Sequence, residues 1–244
     1  MIIALASKKF VNGDVSANLA TILACISECA SQSVDLLCFG EAFLHGFDGL
    51  DWVYERDILT ALPADSEVFS VISTAAQESG VAVGFGYMEH DAGDLFSSYA
   101  VIDGEGGLIC NFRRISAGWK EACVGNDSRY KEGAEFTSFA LRGKRISVGL
   151  CGDFWYDENI EKIRKNDCDL LLWPVFVDYD TLRWENGGKR EYAQQAGRVH
   201  DRVLLINSIA DGPNPGLGGC FYFERGKITD ELAPGGEGVL MVRL

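Results

Sequence analysis

A carboxylate follows an apolar strand near the beginning of the chain. Glu41 comes after the apolar run of residues 34–39, which predicts a strand buried on both faces. A carboxylate at such a strand end is expected to be partly desolvated, which raises its pKa and suits it to act as a general base. The alternative is a strand-end glutamate that turns out to solvent. The position therefore predicts proton transfer, with simple exposure as the competing interpretation.

A thiol ends a later strand. Cys151 follows the predicted strand 145–150 and precedes Gly152 and Asp153, which indicate a turn rather than a continued strand. A thiol there can reach a substrate, and neighbouring backbone N–H groups could stabilise an oxyanion. Because the chain has eight cysteines, a buried structural thiol is the alternative for any one of them. The turn distinguishes Cys151 and predicts a nucleophile.

A pair of cations lies between these two places. Arg113 and Arg114 follow the predicted strand 108–112. Since catalytic groups in α/β folds gather at the carboxyl ends of strands, a cation here could reach the same edge as Glu41 and Cys151. Taken alone, a solvated basic pair is the simpler interpretation.

The elements that would position these residues alternate between strands and helices. Apolar periodicity predicts helices from residue 18 onward, with Ser16 as N-cap, and at 65–79, 157–166 and 184–199. Apolar runs predict strands at Ile2–Ser7, 34–39, 81–87, 170–173, 203–209, 219–223 and 238–242. Turn residues predict hairpins that join 97–102 to 108–112 and 137–141 to 145–150.

This alternation predicts the fold class. Strand–helix alternation interleaved with hairpins requires mixed sheets. Two such sheets facing each other, with helices outside, give an α/β fold that is a four-layer α-β-β-α sandwich. No composition shift marks a boundary, so residues 1–244 are expected to form a single domain, and residues 118–135 a long loop.

Composition excludes some partners. The chain has 22 Lys and Arg against 36 Asp and Glu, a formal net charge of −14, which argues against nucleic acid or an anionic membrane because both attract basic surfaces. No apolar run reaches the length of a membrane span, and the first residues lack the basic segment of a signal peptide. Most cysteines lie in apolar patterns and none forms a CxxC pair, so reduced thiols and a cytoplasmic location are predicted.

The order of the three candidate residues resembles the nitrilase-type carbon–nitrogen hydrolase superfamily. Residues 37–47 are similar to that family's Pro-Glu segment, with Gly40 in place of proline and Phe47 in place of tyrosine. The resemblance continues through nearly the whole chain. Its later parts are the Cys-Tyr-Asp element at 151–158, the Asn-Pro segment at Trp173-Pro174, and a helix and strand at 198–207.

The resemblance implies a role for each residue. Glu41 would be the general base, and Cys151 the nucleophile that forms a thioester. The N–H of Gly152 and a cation would hold the oxyanion. Substrate contacts are implied at Gly152, Trp155, Phe47 and Trp173. The implied partners are a small-molecule amide or nitrile and a second copy in a homodimer, with no metal or cofactor.

One departure concerns the cation. The family's catalytic lysine lies in a Tyr-Arg-Lys element, whereas this chain has Phe112, Arg113 and Arg114, so Arg114 occupies the lysine position. A guanidinium supplies charge and donors but cannot give up a proton. Lys120 is the alternative cation. Glu121 is similar in placement to the family's second, accessory glutamate.

Two functions from different classes are consistent with this pattern. The first is hydrolysis of non-peptide carbon–nitrogen bonds by Glu41, Arg114 and Cys151. The second is a catalytically impaired relative that binds a small molecule or a protein. The arginine at the lysine position is the reason to keep the second.

A Cys–His hydrolase of the papain type is a third interpretation. The chain has three histidines, His45, His90 and His200. None has a spacing that demands a catalytic role, so this interpretation ranks below the other two.

Overall fold

The computed structural model describes residues 1–120, 127–212 and 214–244. The strands of this part are β1 (Ile2–Ser7), β2 (Leu36–Cys38), β3 (Ala82–Asp91), β4 (Asp94–Ile102), β5 (Leu108–Arg113), β6 (Ser138–Leu141), β7 (Lys144–Val148), β8 (Leu170–Val175), β9 (Arg202–Ala210), β10 (Gly216–Glu224), β11 (Lys227–Leu232) and β12 (Gly238–Arg243). The α-helices are α1 (Val15–Ala30), α2 (Tyr54–Thr60), α3 (Glu67–Ser79), α4 (Asp157–Ile163), α5 (Thr181–Arg183) and α6 (Lys189–Val199). A π-helical turn, Trp184–Gly188, joins the last two helices, and 3₁₀ turns span Ala117–Lys120 and Cys151–Trp155.

The strands form two mixed sheets of six. The first has the order β12-β1-β2-β3-β4-β5 and the second the order β11-β10-β9-β8-β7-β6. Parallel pairs lie inside each sheet, β1–β2 and β2–β3 in the first and β7–β8 and β8–β9 in the second. The remaining pairs are antiparallel. One of them joins β1 to β12, which comes from the other end of the chain. The predicted mixed sheets are confirmed.

Three apolar clusters hold the layers together. One lies between the sheets and contains side chains of both, such as Leu5 and Leu172. The second packs α1 and α3 against the outer face of the first sheet, and the third packs α4 and α6 against the outer face of the second. Because each sheet buries both faces, its inner strands consist of continuous apolar runs. The four-layer α-β-β-α sandwich is confirmed.

Gly40 explains a close approach between the sheets. A Cβ built on this residue would lie 2.5 Å from Ser208 Oγ and 3.1 Å from the carbonyl oxygen of Val175. A Cβ there would require the Ser208 hydroxyl to rotate away and the Val175 carbonyl to shift by a few tenths of an ångström. Glycine therefore brings the loop that carries Glu41 close to the second sheet.

The first helix begins earlier than predicted. Asp14 caps α1, because its side chain accepts a hydrogen bond from the N–H of Ala17 at 2.9 Å. The prediction that Ser16 is the N-cap is wrong, since Ser16 lies inside the helix. Both residues are good caps by type, and only the Asp14 carboxylate lies at the non-helical position.

Other elements had weak sequence signals. Helix α2 was not predicted because its buried residue is Asp57, so it has no apolar stripe. Strand β11 is a largely exposed edge strand with little alternation. Strands β3 and β4 extend to a tight turn at Ala92-Gly93 and pair with each other. The residues next to the turn are polar, so the apolar pattern did not predict this hairpin.

Two further expectations concern the thiols and the membrane. The seven cysteines among the described residues are free thiols, and Cys123 lies outside the described residues. Within the part of the chain that the structure describes, no helix is both long and apolar enough to cross a bilayer.

Candidate active site

Glu41, Arg114 and Cys151 converge at one edge of the sandwich. Glu41 follows β2 and Arg114 follows β5, both in the first sheet, whereas Cys151 follows β7 in the second. Residues from three strand ends, up to 110 positions apart in the chain, therefore meet between the two sheets. The meeting agrees with the general placement of sites at strand carboxyl ends.

Glu41 and Arg114 form a buried ion pair. Arg114 Nη1 donates to Glu41 Oε1 at 2.7 Å, and the two side chains are 6% and 1% exposed. The second carboxylate oxygen of Glu41, Oε2, is buried and has no hydrogen-bond partner among the described residues. One oxygen is thus held by the cation, and the other keeps its capacity to accept a proton.

The backbone of Cys151 turns sharply. Its φ of +38° lies in the left-handed region, which costs a non-glycine residue about 1–3 kcal/mol and persists only where the surroundings hold it. Trp173 supplies one such hold, because its indole N–H donates to the carbonyl oxygen of Cys151 at 2.9 Å. The thiol itself contacts the carbonyl oxygen of Phe176, with 3.8 Å between Sγ and O.

The charges around the thiol act in opposite directions. Burial raises the pKa of Cys151 to about 12, the Glu41 carboxylate raises it as well, and the Arg114 guanidinium lowers it. Burial alone would lower the pKa of Arg114, but the charges of Glu41, Cys151 and Asp153 outweigh it and raise that pKa. The thiol is therefore protonated at neutral pH, and a base has to remove its proton before it can attack.

Asp153 connects the segment after β5 to the turn at Cys151. Its carboxylate is fully buried and accepts three backbone N–H groups, from Ile115 at 3.0 Å, Ser116 at 2.7 Å and Leu150 at 2.9 Å. Burial raises the pKa of Asp153 to about 6, against the opposing effects of the Arg114 charge and of hydrogen bonds from Ser116 and Leu150. Sequence reasoning missed this role, because it depends on a contact with the segment after β5 that no local pattern encodes.

Gly152 lies against the guanidinium. A Cβ built on it would lie 2.6 Å from Arg114 Nη2 and 3.0 Å from Ser116 Oγ. Among the described residues, Nη2 has no hydrogen-bond partner, whereas Nη1 and Nε bind Glu41 and Ser116. The cation therefore borders the peptide that follows the thiol.

Gly152→Ala is expected to slow alkylation of Cys151 by iodoacetamide about tenfold at neutral pH. The added methyl group would displace the guanidinium, and a thiol pKa one unit higher lowers the thiolate fraction about tenfold. Peptide mass spectrometry measures the rate at this cysteine. Gly187→Ala is the control, because open space surrounds that glycine. An unchanged rate in Gly152→Ala would contradict the contact.

The predicted substrate-binding residues lie around the same turn. Phe47 stacks on Phe176, with ring centroids 4.5 Å apart. Trp155 is 37% exposed and lies edge-on to Tyr192. Trp173 is fully buried and contacts the backbone of the nucleophile rather than open space. Direct contact of these side chains with a substrate stays a prediction.

Two other candidate catalytic residues are Lys120, which has different partners, and Glu121. Lys120 forms an ion pair with Glu132 at 2.6 Å and donates to the carbonyl oxygen of Tyr130 at 2.6 Å. Arg114, not Lys120, therefore holds Glu41. Glu121 lies outside the described residues, so its accessory role stays a prediction.

The histidines have other partners. His45 accepts from the N–H of Met88 at 3.1 Å, and its second ring nitrogen lies 3.0 Å from the carbonyl oxygen of Thr60. His200 bonds the backbone of Arg202 and Cys168. His45 and His200 therefore have no ring nitrogen left for the thiol. The papain-type interpretation gains no support from either.

Comparisons with known proteins identify relatives of this chain. A family model described as carbon–nitrogen hydrolase matches residues 2–243. An omega-amidase from Mus musculus is 24% identical over 202 residues, which cover 79% of this chain and 68% of the relative. An arylacetonitrilase from Fusarium vanettenii is 25% identical over 155 residues, which cover 58% of this chain and 44% of the relative. The match thus spans less than half the length of that curated relative.

A solved structure has the same architecture. An amidase from Nesterenkonia sp. AN1 superposes with a TM-score of 0.77 and 18% sequence identity, over 100% of this chain and 92% of the amidase. At that identity the likeness establishes a shared fold.

Proposed function

This chain belongs to the carbon–nitrogen hydrolase family, and on that premise we propose that it hydrolyses the carbon–nitrogen bond of a small amide through a thioester on Cys151. The observation that carries the proposal is the Glu41 carboxylate, which has Oε1 bound to Arg114 and Oε2 buried without a partner among the described residues. Its charge raises the pKa of the Cys151 thiol, so the free oxygen belongs to a base close to the nucleophile. A small nitrile is the alternative substrate.

The first step is proton transfer. Glu41 takes the proton of the Cys151 thiol, and the sulfur attacks the carbonyl carbon of the amide. A thiol pKa of about 12 makes this base necessary near neutral pH, because only the thiolate is an effective nucleophile. The carbon–sulfur bond forms as the carbonyl oxygen acquires negative charge.

Two donors would stabilise that oxygen. Arg114 Nη2 borders the peptide of Gly152, and the N–H of Gly152 follows the nucleophile directly. Buried donors that are already oriented stabilise a developing oxyanion more than water does, because they need no reorganisation during the reaction. The guanidinium supplies charge as well as an N–H, although it cannot transfer a proton.

The intermediate then collapses. Protonated Glu41 gives its proton to the leaving nitrogen, the carbon–nitrogen bond breaks, and ammonia or an amine departs from the thioester. Glu41 next takes a proton from a water molecule, which attacks the thioester carbon. The carbon–sulfur bond breaks, and Glu41 returns its proton to the sulfur, which restores the thiol and the carboxylate. One water has been consumed for each amide converted to a carboxylic acid and ammonia or an amine.

Relatives support a cysteine at this place. A structure of a mutant of the Nesterenkonia amidase shows the result of Michael addition of acrylamide at the active-site cysteine of that protein. The same fold in this chain brings Cys151 next to a buried glutamate and a buried cation. The homodimer and the cytoplasmic location stay predictions.

Ammonia release across a panel of small amides and nitriles tests the function. We expect turnover with at least one primary amide, and a covalent acyl adduct on Cys151 detectable by mass spectrometry. Ammonia from nitriles alone would favour nitrile hydrolysis. No turnover and no adduct with any member of the panel would favour the alternative of a catalytically impaired relative that binds a small molecule or a protein.

Arg114→Lys is expected to lower ammonia release about 100-fold, a typical loss for one oxyanion donor. A lysine ammonium is shorter and lacks the fork that reaches Glu41 and the Gly152 peptide together. Arg113→Lys is the matched control, because Arg113 pairs with Glu89 and Asp91 instead. Initial rates at saturating substrate make the comparison. Activity created or raised by Arg114→Lys would instead identify the natural chain as the impaired relative.

A further inference from the structure

Arg114 makes one bond that a lysine cannot make. Its Nε donates to Ser116 Oγ at 2.9 Å, and both side chains are buried. Lysine has no donor at the corresponding place along its chain. Ser116 therefore accepts a hydrogen bond from Nε, the donor that an arginine has and the lysine of the family pattern lacks.

We propose that Ser116 is a positioning residue that fixes the rotation of the Arg114 guanidinium and so directs its Nη2 towards the reacting centre at Cys151. The proposal rests on the function proposed above. It deepens that function by naming the side chain on which an arginine depends at this position.

The geometry of the guanidinium is the first step of the argument. The group is planar, so two anchors at different nitrogens fix the orientation of the whole plane. Nη1 is anchored on Glu41 at 2.7 Å and Nε on Ser116 at 2.9 Å. The third nitrogen, Nη2, then borders Gly152. Without the Ser116 anchor, the plane could rotate about the bond to Glu41, and Nη2 would leave this place.

The position of Ser116 is itself tied to the nucleophile. Its backbone N–H donates to Asp153 Oδ1 at 2.7 Å, and the other oxygen of that carboxylate accepts from the N–H of Leu150 at 2.9 Å. Asp153 lies two residues after Cys151, in the 3₁₀ turn that follows β7 of the second sheet. Ser116 therefore holds the cation in register with the thiol across the gap between the sheets, and not only with its own strand.

A double-mutant cycle tests the proposal. Ser116→Ala removes one oxygen and introduces no clash. It is combined with Arg114→Lys, and Cys151 alkylation by iodoacetamide is followed against pH by peptide mass spectrometry. Because Arg114 lowers the thiol pKa, Ser116→Ala should shift the profile to higher pH and slow alkylation about tenfold at neutral pH, the typical effect of one hydrogen bond to a charged group. In the Arg114→Lys background its effect should be much smaller, because the hydroxyl then contacts only Asp153.

The readouts separate positioning from general stability. Ser98→Ala is the control, because Ser98 is equally buried but donates to Glu89, away from this ion pair, and should leave the alkylation profile unchanged. A fall in kcat with constant KM should accompany the shift in Ser116→Ala. Equal slowing in both backgrounds, or no slowing with Arg114 present, would overturn the proposal. A full shift in a protein that hydrolyses no substrate would support positioning while refuting the proposed function.

Discussion

Glu41→Gln should lower ammonia release about 1,000-fold, within the range typical of a lost general base. The glutamine carbonyl can still accept the bond from Arg114 Nη1, which now measures 2.7 Å to the carboxylate. It cannot take the proton of Cys151, whose thiol pKa of about 12 leaves almost no thiolate at neutral pH. Initial rates with the best amide of the panel, together with a thermal melt, measure the effect.

Glu89→Gln is the matched control for this change. Glu89 is a second buried glutamate of the same sheet, paired with Arg113 at 2.6 Å and hydrogen-bonded to Ser98. Its substitution should destabilise the protein by about 1–3 kcal/mol, because buried donors lose a charged acceptor, while turnover stays within a few-fold of the parent. Similar losses of turnover in the two variants would mean that Glu41 supports the fold rather than the reaction.

Although Glu41→Gln should lower turnover, it should not slow alkylation of the Cys151 thiol. The Glu41 charge is one cause of the raised Cys151 pKa, so its removal should lower that pKa. At pH 9, iodoacetamide should therefore alkylate Cys151 in the variant at least as fast as in the parent. Lost turnover combined with an undiminished thiol identifies the loss of a base. Slower alkylation at pH 9 would indicate instead that the nucleophile itself had moved.

Cys151→Ala should lower ammonia release about 10,000-fold or more, because Cys151 is the group that forms the acyl intermediate in the proposed reaction. The acyl adduct should disappear from the mass spectrum as well. Cys168→Ala is the control, since Cys168 is another partly exposed free thiol and should keep parental activity. Adduct formation that persists in Cys151→Ala would place the nucleophile elsewhere.

Cys151→Gly separates catalysis from stability at the same position. The residue has a φ of +38°, and glycine adopts positive φ without the strain that a Cβ causes. The glycine variant should therefore be as inactive as the alanine variant and yet more stable than it, by about 1 kcal/mol. Chemical denaturation of the two variants measures this difference.

The positions of the reactive residues could be predicted because each lies within three residues of the end of a strand. Glu41 and Cys151 were selected because each follows an apolar run, and Arg114 because the order of the three along the chain resembles the family pattern. The structure brings these three together. Ser116 and Asp153 were not found. Their roles depend on a distance between two sheets, and no local pattern encodes that distance.

The fold could be predicted to a similar depth. Strands buried on both faces have continuous apolar runs, which identified them, and their alternation with helices and hairpins predicted the two mixed sheets. Elements without an apolar stripe were missed, as in α2 with its buried Asp57 and in the exposed edge strand β11. Asp57 accepts a hydrogen bond from the hydroxyl of Tyr130 at 2.6 Å. A tertiary contact of this kind makes a polar residue part of the core.

The two sheets differ in how much of the chain each needs before it can form. The second sheet, β6 to β11, comes from one continuous stretch, Ser138 to Leu232. The first sheet needs both extremes, because Ile2 on β1 pairs with Arg243 on β12. During synthesis on a ribosome, the sheet that carries Cys151 can therefore form while β1 still lacks its outer neighbour. The first sheet gains its outer strand β12 only after the whole second sheet has been synthesised, although β2 and β5, which precede Glu41 and Arg114, come earlier in the chain.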